Sequence, residues 1–110
     1  MEKRPWGKFE RYVDNEACTV KLIFINPGEE FSLQYHNQRD EFWKIIKGRA
    51  EITLDDKVIE AKESDEFFCP RKTKHRIRAK DELVEILEIA FGDFSENDIV
   101  RIKDKYGRTN

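Results

Sequence analysis

The stretch "PGEEFSLQYHNQRDEFWKIIKG", residues 27–48, sets Gln34, His36 and Glu41 between Gly28 and Gly48 in a chain that has only two histidines. Residues two apart on a strand point the same way, so in an extended "FSLQYH" (31–36) Gln34 and His36 share a face and Tyr35 takes the other. The next four residues, "NQRD", supply a turn. A returning strand, "DEFWKIIK" (40–47), then brings the carboxylate of Glu41 back beside His36, and three donors converge on one side of a hairpin. The other histidine, His75, opens "HRIRA" (75–79) directly after the loop "PRKTK". Ile77 and Ala79 continue its face while Arg76 and Arg78 point outward, which is the orientation a fourth donor needs.

Outward from this hairpin the chain reads as strand nearly everywhere, short apolar/polar alternations being interrupted every eight or so residues by turn residues. "FERYV" (9–13) is expected to open the series. "CTVKLIFIN" (18–26) follows, with Val20, Leu22 and Phe24 on one face before Asn-Pro-Gly forces a turn. "RAEITL" (49–54) and "KVIEA" (57–61) flank a hairpin turn at Asp55-Asp56. "DEFFCP" (65–70), "HRIRA" (75–79), "LVEILEIAF" (83–91) and "DIVRI" (98–102) complete the list. Within "DELVEILEIAF" Leu83, Ile86, Leu87 and Ala90 also fit a helical spacing. A strand is the preferred reading there, because Val, Ile and Phe dominate and the neighbours are strands. So many short strands predict an all-β barrel or jelly-roll sandwich.

The coarse properties limit what such a fold does. A chain of 110 residues and 13.2 kDa suits one small domain, residues 1–110, with a single core and one site. Its 21 basic residues are interleaved with 23 acidic ones, and the formal charge is −2. No basic face for nucleic acid is implied. No apolar run approaches the ~20 residues that cross a bilayer, so no membrane partner is expected, and "MEKRPWGKFE" holds no hydrophobic stretch of a secretion signal. The expected location is cytoplasmic. Cys18 and Cys69 lie far apart with no CxxC pair, which favours two half-buried thiols over a disulfide or a soft-metal site.

The opening stretch resembles the first cupin motif, G-x5-H-x-H-x4-E-x6-G, with Gly28, Gln34, His36, Glu41 and Gly48 on its positions and Gln in place of the first His. The second cupin motif, G-x5-P-x-G-x2-H-x3-N, is matched by Pro70 and His75, with Ser64, Lys72 and Ala79 where Gly, Gly and Asn are usual. The pieces "RPWG" (4–7), "SLQYH" (32–36), "DEFW" (40–43), "HRI" (75–77), "DIVR" (98–101) and "DKYGR" (104–108) are similar to the cupin domain of type II mannose-6-phosphate isomerases. That domain is often fused behind a mannose-1-phosphate guanylyltransferase. The resemblance implies a cupin double-stranded β-helix and a divalent metal held at Gln34, His36, Glu41 and His75, with zinc foremost and Mn, Fe, Co or Ni as other choices. It also implies a sugar-phosphate substrate, interconversion of mannose 6-phosphate and fructose 6-phosphate, a homodimer, and a separate mannose-1-phosphate guanylyltransferase as partner.

Ligand chemistry supports the same four residues, since imidazole and carboxylate suit first-row divalent ions. Against this, a lone histidine is more often packed or solvated than a ligand, and Gln34 could simply hydrogen-bond within the sheet. Phosphate candidates are Arg39, expected in the turn at the mouth of the barrel, then Arg4 and Arg108, whose guanidinium forks suit bidentate oxygen contacts; each could equally be a solvated charge. Trp43 and Trp6 could wall the sugar site or serve the core. No residue presents itself as the proton-transfer base. The family's run after the glutamine is closer to HHHRAEHW, where this chain has His36-Asn37-Gln38-Arg39-Asp40-Glu41-Phe42-Trp43, so the rim has lost histidines. Lys72 stands where a glycine is expected, and a positive φ there would bear strain. Two other readings stand beside the isomerase: a non-catalytic module binding sugar phosphate or sugar nucleotide for a guanylyltransferase, and an iron cupin oxygenase, which this chain's two histidines disfavour.

Overall fold

The computed structural model describes residues 1–92, 95 and 97–103, and among these it contains strands and turns but no helix. The strands are β1 (Glu2–Arg4), β2 (Gly7–Phe9), β3 (Cys18–Ile25), β4 (Leu33–Tyr35), β5 (Arg39–Lys47), β6 (Ala50–Leu54), β7 (Lys57–Ala61), β8 (Glu66–Cys69), β9 (His75–Ala79), β10 (Val84–Gly92) and β11 (Val100–Lys103). Two antiparallel sheets carry the fold, one in the order β3-β10-β5-β8 and the other in the order β11-β4-β9-β6-β7. The chain passes from one sheet to the other at almost every connection after β3, the wrapping of a jelly roll.

The inward face of this sandwich is divided along its length. On β5 the buried residues run Arg39, Glu41, Trp43, Ile45, and on β9 they run His75, Ile77, Ala79. Both strands are thus polar at one end and apolar at the other. Ile45, Ile52, Ile77, Val84 and Ile86 are at most 1% exposed and fill the apolar half, each burial contributing roughly 1.5–3 kcal/mol. The polar half lies above that floor, so the donors rest on a packed apolar base.

The strand preferred over a helix for residues 83–91 forms as β10: it pairs with β3 on one side and β5 on the other, and its register shifts between Glu85 and Ile86. A central strand takes hydrogen bonds from both neighbours, and the irregularity accounts for apolar spacing that departs from strict alternation. The strand expected at 9–13 is replaced by a hairpin of β1 and β2, whose turn Arg4-Pro5-Trp6-Gly7 has proline in the position that type I and II turns favour. The extended segment 31–36 contracts to Leu33–Tyr35. Val20, Leu22 and Phe24 share a face as expected, but that face turns outward, with exposures of 57%, 55% and 58%. Lys21, Ile23 and Ile25 take the inner side of β3.

The turns carry identifiable backbone constraints. Asp55, in the two-residue β6–β7 turn, has φ of 54°. Gly48 has φ of 89°, and a Cβ there would strike the Leu83 carbonyl and Val84, so the position after β5 admits only glycine. Ser64 and Lys72 adopt φ of 75° and 69°, holding the left-handed conformation where the cupin pattern has glycines.

Candidate metal centre

His36 follows β4, Glu41 lies on β5 and His75 opens β9, and their ligand atoms all lie within 4.8 Å of one another. All three are buried. Glu41 is the hub: its Oε2 is 3.5 Å from His36 Nε2 and its Oε1 is 3.7 Å from His75 Nε2. Trp43 Nε1–H donates to Oε1 at 3.1 Å, and Arg39 Nε–H donates to Oε2 at 3.0 Å. The carboxylate is thereby oriented by two donors from its own strand, each two residues away on the same face.

The outer nitrogens of both imidazoles are engaged by backbone carbonyls. His36 Nδ1 bonds the Asp98 carbonyl, and His75 Nδ1 is 3.0 Å from the Thr73 carbonyl. Each carbonyl accepts only from N–H, so both rings keep the proton on Nδ1 and turn a lone pair on Nε2 toward Glu41. This pattern, in which a carbonyl fixes the tautomer behind the coordinating nitrogen, is the usual support of metal-bound histidine. Burial pushes both imidazoles below their ordinary value, outweighing the upward pull of Asp98 and Glu41 on His36 and of Glu41 and Thr73 on His75. Neutral rings are the form a metal requires. The donor set therefore fits a divalent ion of the zinc or manganese type.

The other residues singled out from the sequence fall in different places. Gln34 pairs directly with His75 across β4 and β9, so the two side chains emerge side by side on one face. Its Oε1 accepts the Ser32 hydroxyl at 3.1 Å and has a second lone pair for another partner. Arg39 belongs to β5 rather than to an exposed turn and is only 7% exposed; its guanidinium lies among the donors, not at the rim. Trp43 is fully buried beneath Glu41, with its ring 5.2 Å from that of His75. Arg4 lies on β1, where it packs over Phe9, and Trp6 is 74% exposed in the adjoining turn. Neither lines the cavity. Arg108 lies outside the described residues. Cys18 and Cys69 are free thiols. Cys69 Sγ sits 3.4 Å behind His75 Nδ1, and burial pushes its thiol up to about 12, which keeps it protonated.

Three residues absent from the sequence reading line the same cavity of about 240 Å³: Lys21 from β3, Glu88 from β10 and Arg101 from β11. Glu88 is a buried carboxylate, 7% exposed, opposite Lys21 in the β3–β10 register and opposite Trp43 in the β5–β10 register. A larger groove of about 450 Å³, lined by Met1, Tyr12, Phe42 and Phe68 among others, lies on the outside of the sandwich. Among the described residues it brings together no group of three metal donors, so the metal chemistry belongs to the inner cavity.

Fold and donors together define the class. The chain is a cupin, a double-stranded β-helix. It superposes with a TM-score of 0.69 on a Klebsiella pneumoniae protein described as having a double-stranded β-helix domain (17% identity, 84% of this chain and 81% of that one), and at 0.63 on a cupin protein from Bacteroides fragilis (22% identity, 79% and 86%). Within that class the chain belongs to the mannose-6-phosphate isomerase C-terminal family, which it matches over residues 2–104. It is 37% identical over 108 residues to the xanthan biosynthesis protein XanB of Xanthomonas campestris pv. campestris strain B100, covering 96% of this chain and 23% of that protein. It is 38% identical over 107 residues to a mannose-1-phosphate guanylyltransferase of Salmonella montevideo, covering 96% and 23%. The chain thus spans less than a quarter of the length of these curated relatives.

Proposed function

We propose that the chain is a metal-dependent aldose–ketose isomerase that interconverts mannose 6-phosphate and fructose 6-phosphate. The observation that carries this reading is a second buried carboxylate, Glu88, in the same cavity as His36, Glu41 and His75. A divalent ion held by His36, Glu41 and His75, with Gln34 as fourth donor and zinc as the first choice, would supply Lewis-acid polarisation of the sugar's C1 and C2 oxygens. Glu88, left out of that donor set, accepts the C2 proton of the open-chain aldose and returns it at C1. Lys21 and Arg101 face the same space as cations for the phosphate. In this account the Trp43 indole and the Nε–H of Arg39 orient the Glu41 carboxylate, Arg108 is a secondary phosphate candidate, and Arg4, which does not line the cavity, is not one. A cavity of about 240 Å³ is below the roughly 300–1,000 Å³ of sites that enclose drug-sized ligands; that favours a monosaccharide phosphate over a sugar nucleotide.

The test is to strip the protein with chelator, reload it with Zn²⁺, Mn²⁺ or Co²⁺, and follow fructose 6-phosphate formation from mannose 6-phosphate. Turnover is expected with at least one ion. Glu88→Gln should retain the ion and lose turnover by about 10²–10⁴-fold, the range for removal of a general base. Full activity in that variant would remove Glu88 from the mechanism.

A second reading draws on the relatives' names. Several are guanylyltransferases of which this chain spans under a quarter, so the chain could act as a non-catalytic sugar-phosphate module beside a separate mannose-1-phosphate guanylyltransferase. Absence of turnover with every ion, together with saturable mannose 6-phosphate binding, would favour it. In either case we take the working form to be a homodimer. Among the described residues strand β3 is at a sheet edge and bears exposed Val20, Leu22 and Phe24, and sedimentation at the mass of a single chain at micromolar concentration would contradict it.

A further inference from the structure

Arg39 is an unusual neighbour for a metal site, because it brings a buried cation in among the donors. Its guanidinium spans three acceptors: Nε donates to Glu41 Oε2 at 3.0 Å, Nη1 donates to the Ser95 carbonyl at 3.1 Å, and Nη2 lies 3.2 Å from His36 Nε2. These contacts differ in what they leave for a metal. A carboxylate has about four lone-pair positions, so Glu41 can serve Arg39, Trp43 and a metal together. A neutral imidazole has one acceptor nitrogen with one lone pair. Since His36 Nδ1 is committed to the Asp98 carbonyl, that lone pair is on Nε2, where Arg39 already takes it. A metal and Arg39 cannot both use it.

We propose that Arg39 is a tethered internal cation that occupies His36 Nε2 in the metal-free protein and must withdraw that contact when a divalent ion enters. The inference rests on the metal reading of the His36, Glu41 and His75 cluster. Its physical content is a competition. The guanidinium compensates the buried Glu41 carboxylate while the site is empty, which stabilises the metal-free fold, and the ion has to displace it against the repulsion of two like charges in a dry space. The apparent affinity for metal falls by the fraction of molecules in which Arg39 has let go. The same movement reaches two residues beyond the cavity lining. Ser95 accepts from Arg39, and Asp98 both holds His36 and caps the amides of Asn37 and Gln38 through its carboxylate, at 2.9 and 2.8 Å. Ion entry is therefore coupled to Ser95 and to Asp98.

The test compares chelator-treated wild type with Arg39→Gln and Arg39→Lys by calorimetric titration with Mn²⁺ and with Zn²⁺. Arg39→Gln should bind either ion about tenfold more tightly than wild type, with a lower melting temperature when metal-free. Arg39→Lys, which keeps the charge without the fork, should fall between. In the wild-type protein a protected guanidinium Nε–H resonance assigned to Arg39 should shift or vanish as Zn²⁺ is added. Affinity in a folded Arg39→Gln variant equal to or weaker than wild type would show instead that Arg39 supports the ligand shell, and would overturn the proposal. So would an Arg39 resonance unchanged at saturating Zn²⁺, a measurement that needs no variant to fold. Failure of wild type and Arg39→Gln alike to bind either ion would overturn the metal reading itself, and this inference with it.

Discussion

At the scale of single residues, Glu41 is where the site's requirements meet. It is 2% exposed, and four neighbours converge on its two oxygens: Arg39, Trp43, His36 and His75. A charge buried this deeply is tolerated only when it is paired and hydrogen-bonded. The indole of Trp43 matters through one N–H and through its bulk beneath His75. Replacing it with phenylalanine keeps the bulk and deletes the donor. Trp43→Phe is expected to fold, to lose about 1–2 kcal/mol of stability, and to bind metal about tenfold more weakly through the loosened carboxylate; calorimetry with Zn²⁺ checks the second figure, and unchanged affinity would show that Arg39 alone orients Glu41. The residues differ in how plainly they announced themselves. His36, Glu41 and His75 are rare or well-spaced polar residues that the sequence joins through a hairpin of 31–36 with 40–47; the structure brings them together instead across the two sheets, β4 pairing with β9 and β11 and β5 with β8 and β10. Glu88 is one of three glutamates in "DELVEILEIAF" and is set apart from the other two only by the register that puts it opposite Trp43 and Lys21. Lys21 was hidden by the apolar residues on either side of it, because in a strand apolar on both faces alternation does not tell inside from outside. Arg39 reads as a turn residue until β5 is seen to begin with it.

At the scale of elements, the loop between β8 and β9 decides whether His75 faces the cavity. Lys72 closes that loop by donating its backbone N–H to the His36 carbonyl at 2.6 Å, and it does so with φ of 69°. A non-glycine residue in the left-handed region costs roughly 1–2 kcal/mol. Glycine removes that strain but loses more chain entropy on folding, so Lys72→Gly is expected to stabilise the protein by up to about 1 kcal/mol. A chemical-denaturation midpoint that moves down on this change would mean that the lysine side chain contributes something its exposed position does not reveal. Gly48 shows the converse, since a Cβ there would meet the Leu83 carbonyl. Most strands were legible from alternation and turn residues: β5, β6, β7 and β9 fall within two residues of where the sequence puts them. The element that was not legible is the short hairpin at the start of the chain. The β1–β2 hairpin needs only Pro5 and Gly7 at its turn, while the apolar residues of "FERYV" suggested a strand slightly later. Strand β10 was legible as a strand despite a competing helical spacing, and β3 and β5, both remote in sequence, hold it there by pairing with it on either side.

At the scale of the molecule, the sandwich keeps an apolar half as a floor for a polar half, and the polar half carries a stability cost that depends on pH. Both imidazoles are held below their ordinary value, chiefly by burial. The unfolded chain therefore binds protons on His36 and His75 at a higher pH than the folded chain does. Stability is full above the unfolded histidine value of about 6.5 and falls as pH drops below it. Asp40, held low by the amide and side chain of Arg71, adds a further loss only in the more acidic carboxylate range. In the metal-free protein the urea midpoint should be lower near pH 5 than near pH 7.5, and His36→Gln should flatten the difference; equal midpoints in the wild type would mean that the rings are not buried as neutral groups. Metal should oppose the loss, because an ion that binds only the folded chain stabilises it by mass action.

The most direct test of the whole account is the metal content of the purified chain. After equilibrium dialysis against Zn²⁺ or Mn²⁺ and removal of free ion, elemental analysis should find one ion per wild-type chain and essentially none in His36→Ala or Glu41→Ala variants shown to be folded by circular dichroism. A wild-type chain that retains no ion, or folded variants that retain as much as wild type, would contradict the assignment of these residues as the metal centre.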